Sequence, residues 1–195
     1  MRGPLGGIAF VVLMATSRAD AAVPSVSVVV RAVADDGYVV EGAFDVSASP
    51  EVAWGVLTDY DRTSDFVKSV TRSVVRERGP AHIVVEQDGV ARVLFFSRRA
   101  QVVLWVTEEP HRAIRFRDIC ARDFKSYEGR WELSPRPGGV RVSYALSAAL
   151  KSKKPAFLMR GGMQRSTQDL LEQVRTEMGR RSRGVHGSRS AFASE

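Results

Sequence analysis

Cysteine is almost missing from this chain. Cys120 is the only one in 195 residues, so no disulfide can form within the chain. The three histidines, His82, His111 and His186, are scattered, and no Cys/His set has the spacing of a zinc-type site. Neither a metal nor a cofactor is expected. Helical periodicity is scarce as well, with a long amphipathic pattern appearing once. No internal repeat interrupts the strands. No apolar run approaches the roughly 20 residues that a membrane-spanning helix needs.

The apolar share of 44% and charged share of 26% are those of an ordinary folded protein, and the length suits one domain with a sizeable core. The net charge of +7 is less ordinary. It suits nucleic acid, an anionic membrane surface, or simply solubility.

The single helix is read over Phe157 to Met178. Met163, Leu170, Leu171, Val174 and Met178 recur at i, i+7, i+8, i+11 and i+15, one face of an α-helix. Arg165, Gln168, Asp169, Glu172, Gln173 and Arg175 take the opposite face, and Pro155 suits the first turn. A helix with one apolar face, following a series of strands, must lay that face on the sheet.

Residues 1–21 read as a secretory leader. Arg2 is the positive end, Ile8 to Ala15 the apolar stretch, and Ala19-Asp20-Ala21 the cleavage signal. Cleavage would remove two arginines and one aspartate, turning +7 into +6. Export to the periplasm or medium is expected, and a lone cysteine suits an oxidising compartment.

Val26 to Val46 reads as a β-hairpin turning at Asp35-Asp36-Gly37. Ser49 as N-cap and Pro50 after it start a short helix through Trp54 and Leu57, and a second helical turn near Ser64 to Val67 presents Phe66. Strands are then expected at Val70 to Arg78, His82 to Gln87 with a hairpin turn at Asp88-Gly89, Val90 to Thr107, Ala113 to Ala121, Tyr127 to Leu133, and Val140 to Leu150 after Pro137-Gly138-Gly139. This is an antiparallel meander. Beyond Met178 the Arg, Gly and Ser residues lack the apolar groups for a core and read as a disordered basic tail.

Trp54-Gly55-Val56-Leu57-Thr58-Asp59-Tyr60-Asp61-Arg62 with Phe66, the segment Leu94-Phe95-Phe96-Ser97-Arg98-Arg99, the strand Phe124 to Leu133 with its Gly-x-Trp-x-Leu pattern, and Phe157-Leu158-Met159-Arg160-Gly161-Gly162 opening the helix resemble the START-like domains of the coenzyme Q-binding and polyketide cyclase/dehydrase branch. The resemblance covers roughly residues 38 to 178. It implies an α+β helix-grip fold, a curved antiparallel sheet around a long C-terminal helix, within a domain of 22–179 flanked by the leader and a tail at 180–195. It also implies a cavity between sheet and helix, and leaves the ligand open.

Alternation sorts the strand faces. Tyr127, Gly129, Trp131 and Leu133 share one face. Val142, Tyr144 and Leu146 oppose Arg141 and Ser143, and Ile114 and Phe116 oppose Arg115 and Arg117. Phe116, Tyr127, Trp131 and Tyr144 should therefore face Met163, Leu170 and Leu171, with Phe66 and Phe96 closing one end and Gly129 leaving a gap beside Trp131. A filled core is the plain reading of each residue alone. As a set they read as a ligand cavity, because a curved sheet gripping one helix encloses more volume than side chains readily fill. Asp118 and Cys120 continue the inward face if alternation holds. Asp118, with Arg98 or Arg99, would then anchor a polar ligand group or polarise a polyketide; alternatively the strand ends there and Asp118 meets water. Cys120 has no histidine placed to activate it. His82 and His111 lie in or beside turns and read as solvated. Gly161-Gly162 would each cost about 1 kcal/mol inside a helix, implying a close backbone approach, a hinge, or a helix that begins only after Gly162.

The expectation is a monomeric exported carrier for a hydrophobic small molecule of the lipid, quinone, isoprenoid or fatty acyl class. The alternative is a cyclase or dehydratase of a polyketide-like substrate. Lys151, Lys153 and Lys154 read either as a contact for an anionic membrane surface or as a solvated charge run. Nucleic acid is not expected, since no basic–aromatic platform is present.

Overall fold

A computed structural model describes residues 26–34, 37–93, 96–151 and 156–191, with side chains for all of these except 91–93, 96–98, 156–158 and 185–191. The leader, the Asp35-Asp36 turn, Leu94-Phe95, and Lys153 and Lys154 lie outside the described residues, as do the side chains of Phe96 and Arg98.

Strands β1 (Ser27–Val33) and β2 (Gly37–Val46) form the expected hairpin, with Val30 opposite Val40. Helix α1 (Pro50–Leu57) starts as the sequence requires: the Ser49 hydroxyl accepts from the Val52 N–H at 3.3 Å and Pro50 begins the first turn. A 3-10 turn at Tyr60–Arg62 leads into α2 (Thr63–Phe66). Then come β3 (Val70–Arg78), β4 (Ile83–Val93), β5 (Phe96–Glu109), β6 (Ala113–Asp118), β7 (Phe124–Arg136), β8 (Gly139–Leu150) and α3 (Ala156–Ala191). The eight strands make one antiparallel sheet in the order β1-β2-β8-β7-β6-β5-β4-β3. With α3 laid against it, this is the helix-grip arrangement.

Several boundaries differ from the sequence reading: the stretch Val90 to Thr107, expected as one strand, is divided between β4 and β5, and β6 ends at Asp118 rather than Ala121. Asp88-Gly89 is not a hairpin turn, because β4 runs through it to Val93. Gly89 instead lets β4 close on the start of β3. The Val90 N–H donates to the Ser69 carbonyl at 2.8 Å, and a Cβ on Gly89 would stand 2.9 Å from that oxygen. Asp88 meanwhile accepts at its carbonyl from the Thr71 hydroxyl and at its carboxylate from Arg72. Nor does the helix stop near Met178; it continues to Ala191. Arg181 and Ser182 are held against the domain, Ser182 buried with its hydroxyl donating to the Ser47 carbonyl at 3.2 Å. Composition marks this stretch as unable to form a core, yet ion pairs and one buried serine tie it down.

The main core lies where α3 packs on β1 and β2, and it extends onto β8. Val30, Val40, Phe44, Val142, Leu171, Val174 and Met178 are buried there. Gly42 permits the approach: a Cβ on it would come within 2.5 Å of Leu171 Cδ1. A second cluster joins Val85, Leu104, Val106 and Ile114 of β4, β5 and β6 with Tyr60 of the 3-10 turn.

Candidate functional site

The helix meets the sheet unevenly. It packs close to β1 and β2 on one side and to β4 on the other, while the intervening strands β8, β7, β6 and β5 lie farther off. Those four strands carry the aromatic residues that alternation placed inward. Tyr144 is buried, whereas Phe116, Tyr127 and Trp131 are only partly buried, although Ile114 and Leu133 on the same faces are buried and Arg115, Arg117, Glu128 and Arg130 on the opposite faces are exposed. Along α3 the gradient repeats. Thr167, Leu171, Val174 and Met178 are buried, while Met159 and Met163 near the start and Leu170 stay partly accessible.

Phe116, Tyr127, Trp131, Met163, Leu170 and Phe66 all pack against the same apolar cluster that contains Tyr144 and Leu171. The sequence thus brought together on paper what the fold brings together in space. The Trp131 and Tyr144 rings are 4.5 Å apart, and Phe116 lies 6.0 Å from Tyr127 and 6.5 Å from Tyr144. Phe66 stands apart at the α2–α3 corner, with the Arg181 guanidinium 5.7 Å above its ring. Gly129 leaves no gap. It pairs with Phe116 across the ladder, and a Cβ on it would stand 2.6 Å from Phe116 Cζ, so the ring already occupies that space.

Two residues of this wall were not read from the sequence. Phe124 packs on Tyr127 at 4.8 Å. It is three residues before Tyr127 and so appears to alternate outward, but a register shift between Phe124 and Ser126 carries it inward. Met159 was the other, and its spacing of four residues from Met163 was the available signal.

Asp118 does not offer a free carboxylate. Strand β6 ends on it, and its oxygens accept from the backbone N–H groups of Val103 at 2.9 Å, Cys120 at 3.1 Å and Ala121 at 3.0 Å. The acid folds the β6–β7 connection, in which Ala121 takes φ 46°. Cys120 is exposed rather than inward. Arg99 is exposed on β5 opposite Val90, and Lys151 is exposed just after β8. His82 is not simply solvated: its ring stacks on Trp105 at 3.6 Å, and Nε2 is 3.3 Å from Glu77. Gly161 lies inside the helix facing open space, so neither a later helix start nor a close contact at Gly161 explains it.

Three tyrosines are among the polar groups inside, with Thr167 of α3 and Ser73 of β3 also buried. Tyr60 donates to Glu108 at 2.6 Å, and burial, followed by that hydrogen bond, pushes its phenol well up. Burial likewise raises Tyr127 and Tyr144, the second strongly, and the two hydroxyls share a hydrogen bond. These phenols are neutral at any physiological pH. The interior therefore offers a hydrocarbon and aromatic wall with neutral hydroxyls. On the outer face of β1, β2, β8 and β7 a separate groove of about 270 Å³ is lined by Ser27, Glu41, Arg130, Glu132 and Ser143; its charged lining does not suit an apolar guest.

No curated protein sequence matches the chain. Solved structures do. The STAR-related lipid transfer protein of Xanthomonas axonopodis is similar with a TM-score of 0.63 at 17% identity, over 80% of this chain and 94% of that one. The Zhui aromatase/cyclase of Streptomyces sp. R1128 gives 0.63 at 18%, over 74% and 95%. A START superfamily protein of Mycobacterium smegmatis gives 0.58 at 14%, over 75% and 98%. At such identities the likeness establishes the fold. The sequence itself goes further: residues 46–175 match the family described as polyketide cyclase / dehydrase and lipid transport, so the chain belongs to that family and is a START-like helix-grip domain.

Proposed function

We propose that the protein is an exported carrier that holds a hydrophobic small molecule, of the lipid, quinone, isoprenoid or fatty acyl class, between the sheet and the first half of α3. The observation that carries this reading is the partial burial of Phe116, Tyr127 and Trp131 on a face where their neighbours are fully buried. Large inward aromatics left accessible are what an apolar binding hollow presents. A cyclase or dehydratase would need an acid or base free to move a proton, and Asp118 is committed to three backbone N–H groups. The carrier reading is therefore the better supported one.

Native mass spectrometry of the protein purified from its own host tests it. A bound apolar species of defined mass is the expected result. A protein at bare chain mass that also binds no hydrophobic fluorophore refutes it. The same spectrum reads the N-terminus, which export predicts near Ala22. Lys151, with Lys153 and Lys154 after it, is proposed to meet anionic lipid headgroups. Co-sedimentation with liposomes that ignores their anionic content would reject this.

A further inference from the structure

The sheet is open, with β1 at one edge and β3 at the other. An edge strand carries N–H and C=O groups that no neighbouring strand satisfies, and folds guard such edges with bulges, charges or a covering segment. Strand β3 has all three. Its pairing with β4 shifts register between Val70 and Arg72 and again between Val75 and Glu77. Arg72, Arg76, Glu77 and Arg78 lie along it. The 3-10 turn packs on it, and the Asp61 carboxylate of that turn accepts from the Val75 N–H at 2.7 Å.

Strand β1 has none of these guards among the described residues. It pairs with β2 in one unbroken register from Ser27 to Val33, and no described strand lies along its other side. Arg31 is its only charged residue; the rest is valine and alanine after Ser27. Val29 is 50% exposed and Val33 49%. Alternation puts both on one face with Arg31 between them, opposite the face on which Val30 is buried. The residues ahead of β1 do not cover this edge in the exported form proposed above. Cleavage there leaves Ala22 to Ser25, too few to turn back and run along a seven-residue strand, and Pro24 among them has no N–H to offer.

We propose that β1 is a dimerisation edge and that its partner is β1 of a second copy of this chain. A two-fold axis through Val30 pairs the two strands antiparallel over their whole length. Val30 then meets Val30, Val28 meets Ala32, Ser27 meets Val33, and Val29 meets Arg31 of the other copy. Glu41 is opposite Val29 on β2, so one rung reads Glu41, Val29, and Arg31 of the other copy. The arginine stem covers the exposed valine while its charge points toward an acid, and Arg31 never faces Arg31. Because α3 packs on β1 as well as β2, the same axis sets the two helices side by side. A contact centred on one short strand is at the small end of specific interfaces, so dimer and monomer should exchange in the micromolar range.

Sedimentation equilibrium across that range reads the association, and hydrogen exchange at the same concentrations reads its place. The native chain should pass from monomer to dimer, with exchange of the β1 amides slowing as it does and exchange in β3 unchanged. Val29→Lys with Val33→Lys, both on the exposed face, should weaken association by more than about tenfold at an unchanged far-UV spectrum and melting temperature. Thr71→Lys on the guarded edge should leave association as it is. A chain that stays monomeric throughout, the state expected from the sequence, overturns the proposal. So does a dimer that the double variant leaves intact, or one that forms without slower exchange in β1. Slow β1 amides in a chain that remains monomeric would assign the edge to the chain's own N-terminal residues and reject the second copy.

Discussion

Replacing Arg181 by methionine asks whether the far end of α3 is part of the domain. The guanidinium donates to Asp59 Oδ2 at 2.8 Å, to Glu177 Oε1 at 2.7 Å and to the Gly55 carbonyl at 3.4 Å. The Arg181 and Asp59 side chains are each 23% exposed and Glu177 is 10% exposed. An exposed pair contributes roughly 0–1 kcal/mol, and breaking a fully buried one costs roughly 3–5 kcal/mol. This half-buried clamp should fall between, so Arg181→Met should lose about 2 kcal/mol of unfolding free energy in urea. For a chain of this size that is a fall in Tm of about 4–8 °C. A double-mutant cycle with Asp59→Asn should return a coupling of about 1 kcal/mol. A loss in Arg181→Met below about 0.5 kcal/mol, the range of ordinary surface changes, would refute the clamp.

The pH dependence gives an independent reading of the same cluster. The Glu177 carboxyl is held at about 2 rather than 4.5, first by its hydrogen bond from Arg180 and then by Arg181, against the cost of burial. Its folded pKa is the lower one, so its contribution is fully present above pH 4.5 and is lost as pH falls toward 2. The gap corresponds to roughly 3 kcal/mol; because Arg180 is largely in water, about 2 kcal/mol is the expected share. Glu177→Gln should therefore cost about 2 kcal/mol at pH 7 and almost nothing near pH 2. A cost that stays constant across that range would contradict the assignment.

Three further substitutions probe the wall and its supports. Gly129→Ala would drive a methyl into the Ala145 carbonyl and the Phe116 ring, so a loss of about 1–3 kcal/mol with a changed near-UV spectrum is expected, and a silent substitution would mean that Phe116 does not sit there. Asp118→Ala removes the acceptor of three backbone N–H groups; about 1–3 kcal/mol should be lost while hydrophobic-probe affinity is kept, and loss of binding with full stability would return Asp118 to the site. Leu171→Ala, at a fully buried position against Gly42, should cost about 2–5 kcal/mol, whereas Met163→Ala should cost only about 1 kcal/mol; equal costs by chemical denaturation would mean that the first half of α3 is packed as tightly as the second.

Much of this architecture was legible because its elements obey simple periods. The 3.6-residue recurrence from Met163 to Met178 and the alternation through Ile114, Phe116, Trp131 and Tyr144 each report one buried face, and the fold buries those faces. The misreadings share one cause, a local signal overridden by a distant partner. Asp88-Gly89 has turn chemistry, but Ser69 and Arg72 across the sheet recruit it into a strand. Phe124 has the wrong parity until a register shift corrects it. Arg181 and Ser182 look like tail until Asp59 and the Ser47 carbonyl are brought near by the rest of the chain. Asp118 reads as an inward carboxylate if alternation holds, but spacing cannot show that β6 ends on it and that three N–H groups of its own loop and of β5 already claim it.

The hollow follows from where the helix is fastened. At Gly42 the missing side chain draws Leu171 onto β2. Farther along α3, Arg181 and Ser182 tie the helix to the segment around α1, and the Gln173 side chain receives the Lys68 N–H at 2.6 Å. All of these fastenings lie from Leu171 onward, and this is where the helix face is buried. Before it, Met159, Met163 and Leu170 have no such tie and remain partly accessible, opposite strands that stand farther away. Partly accessible apolar residues at the free end of a helix pinned elsewhere support the proposed hollow there, and flexible thioethers at Met159 and Met163 suit a wall whose proposed guest differs in shape from a fixed core.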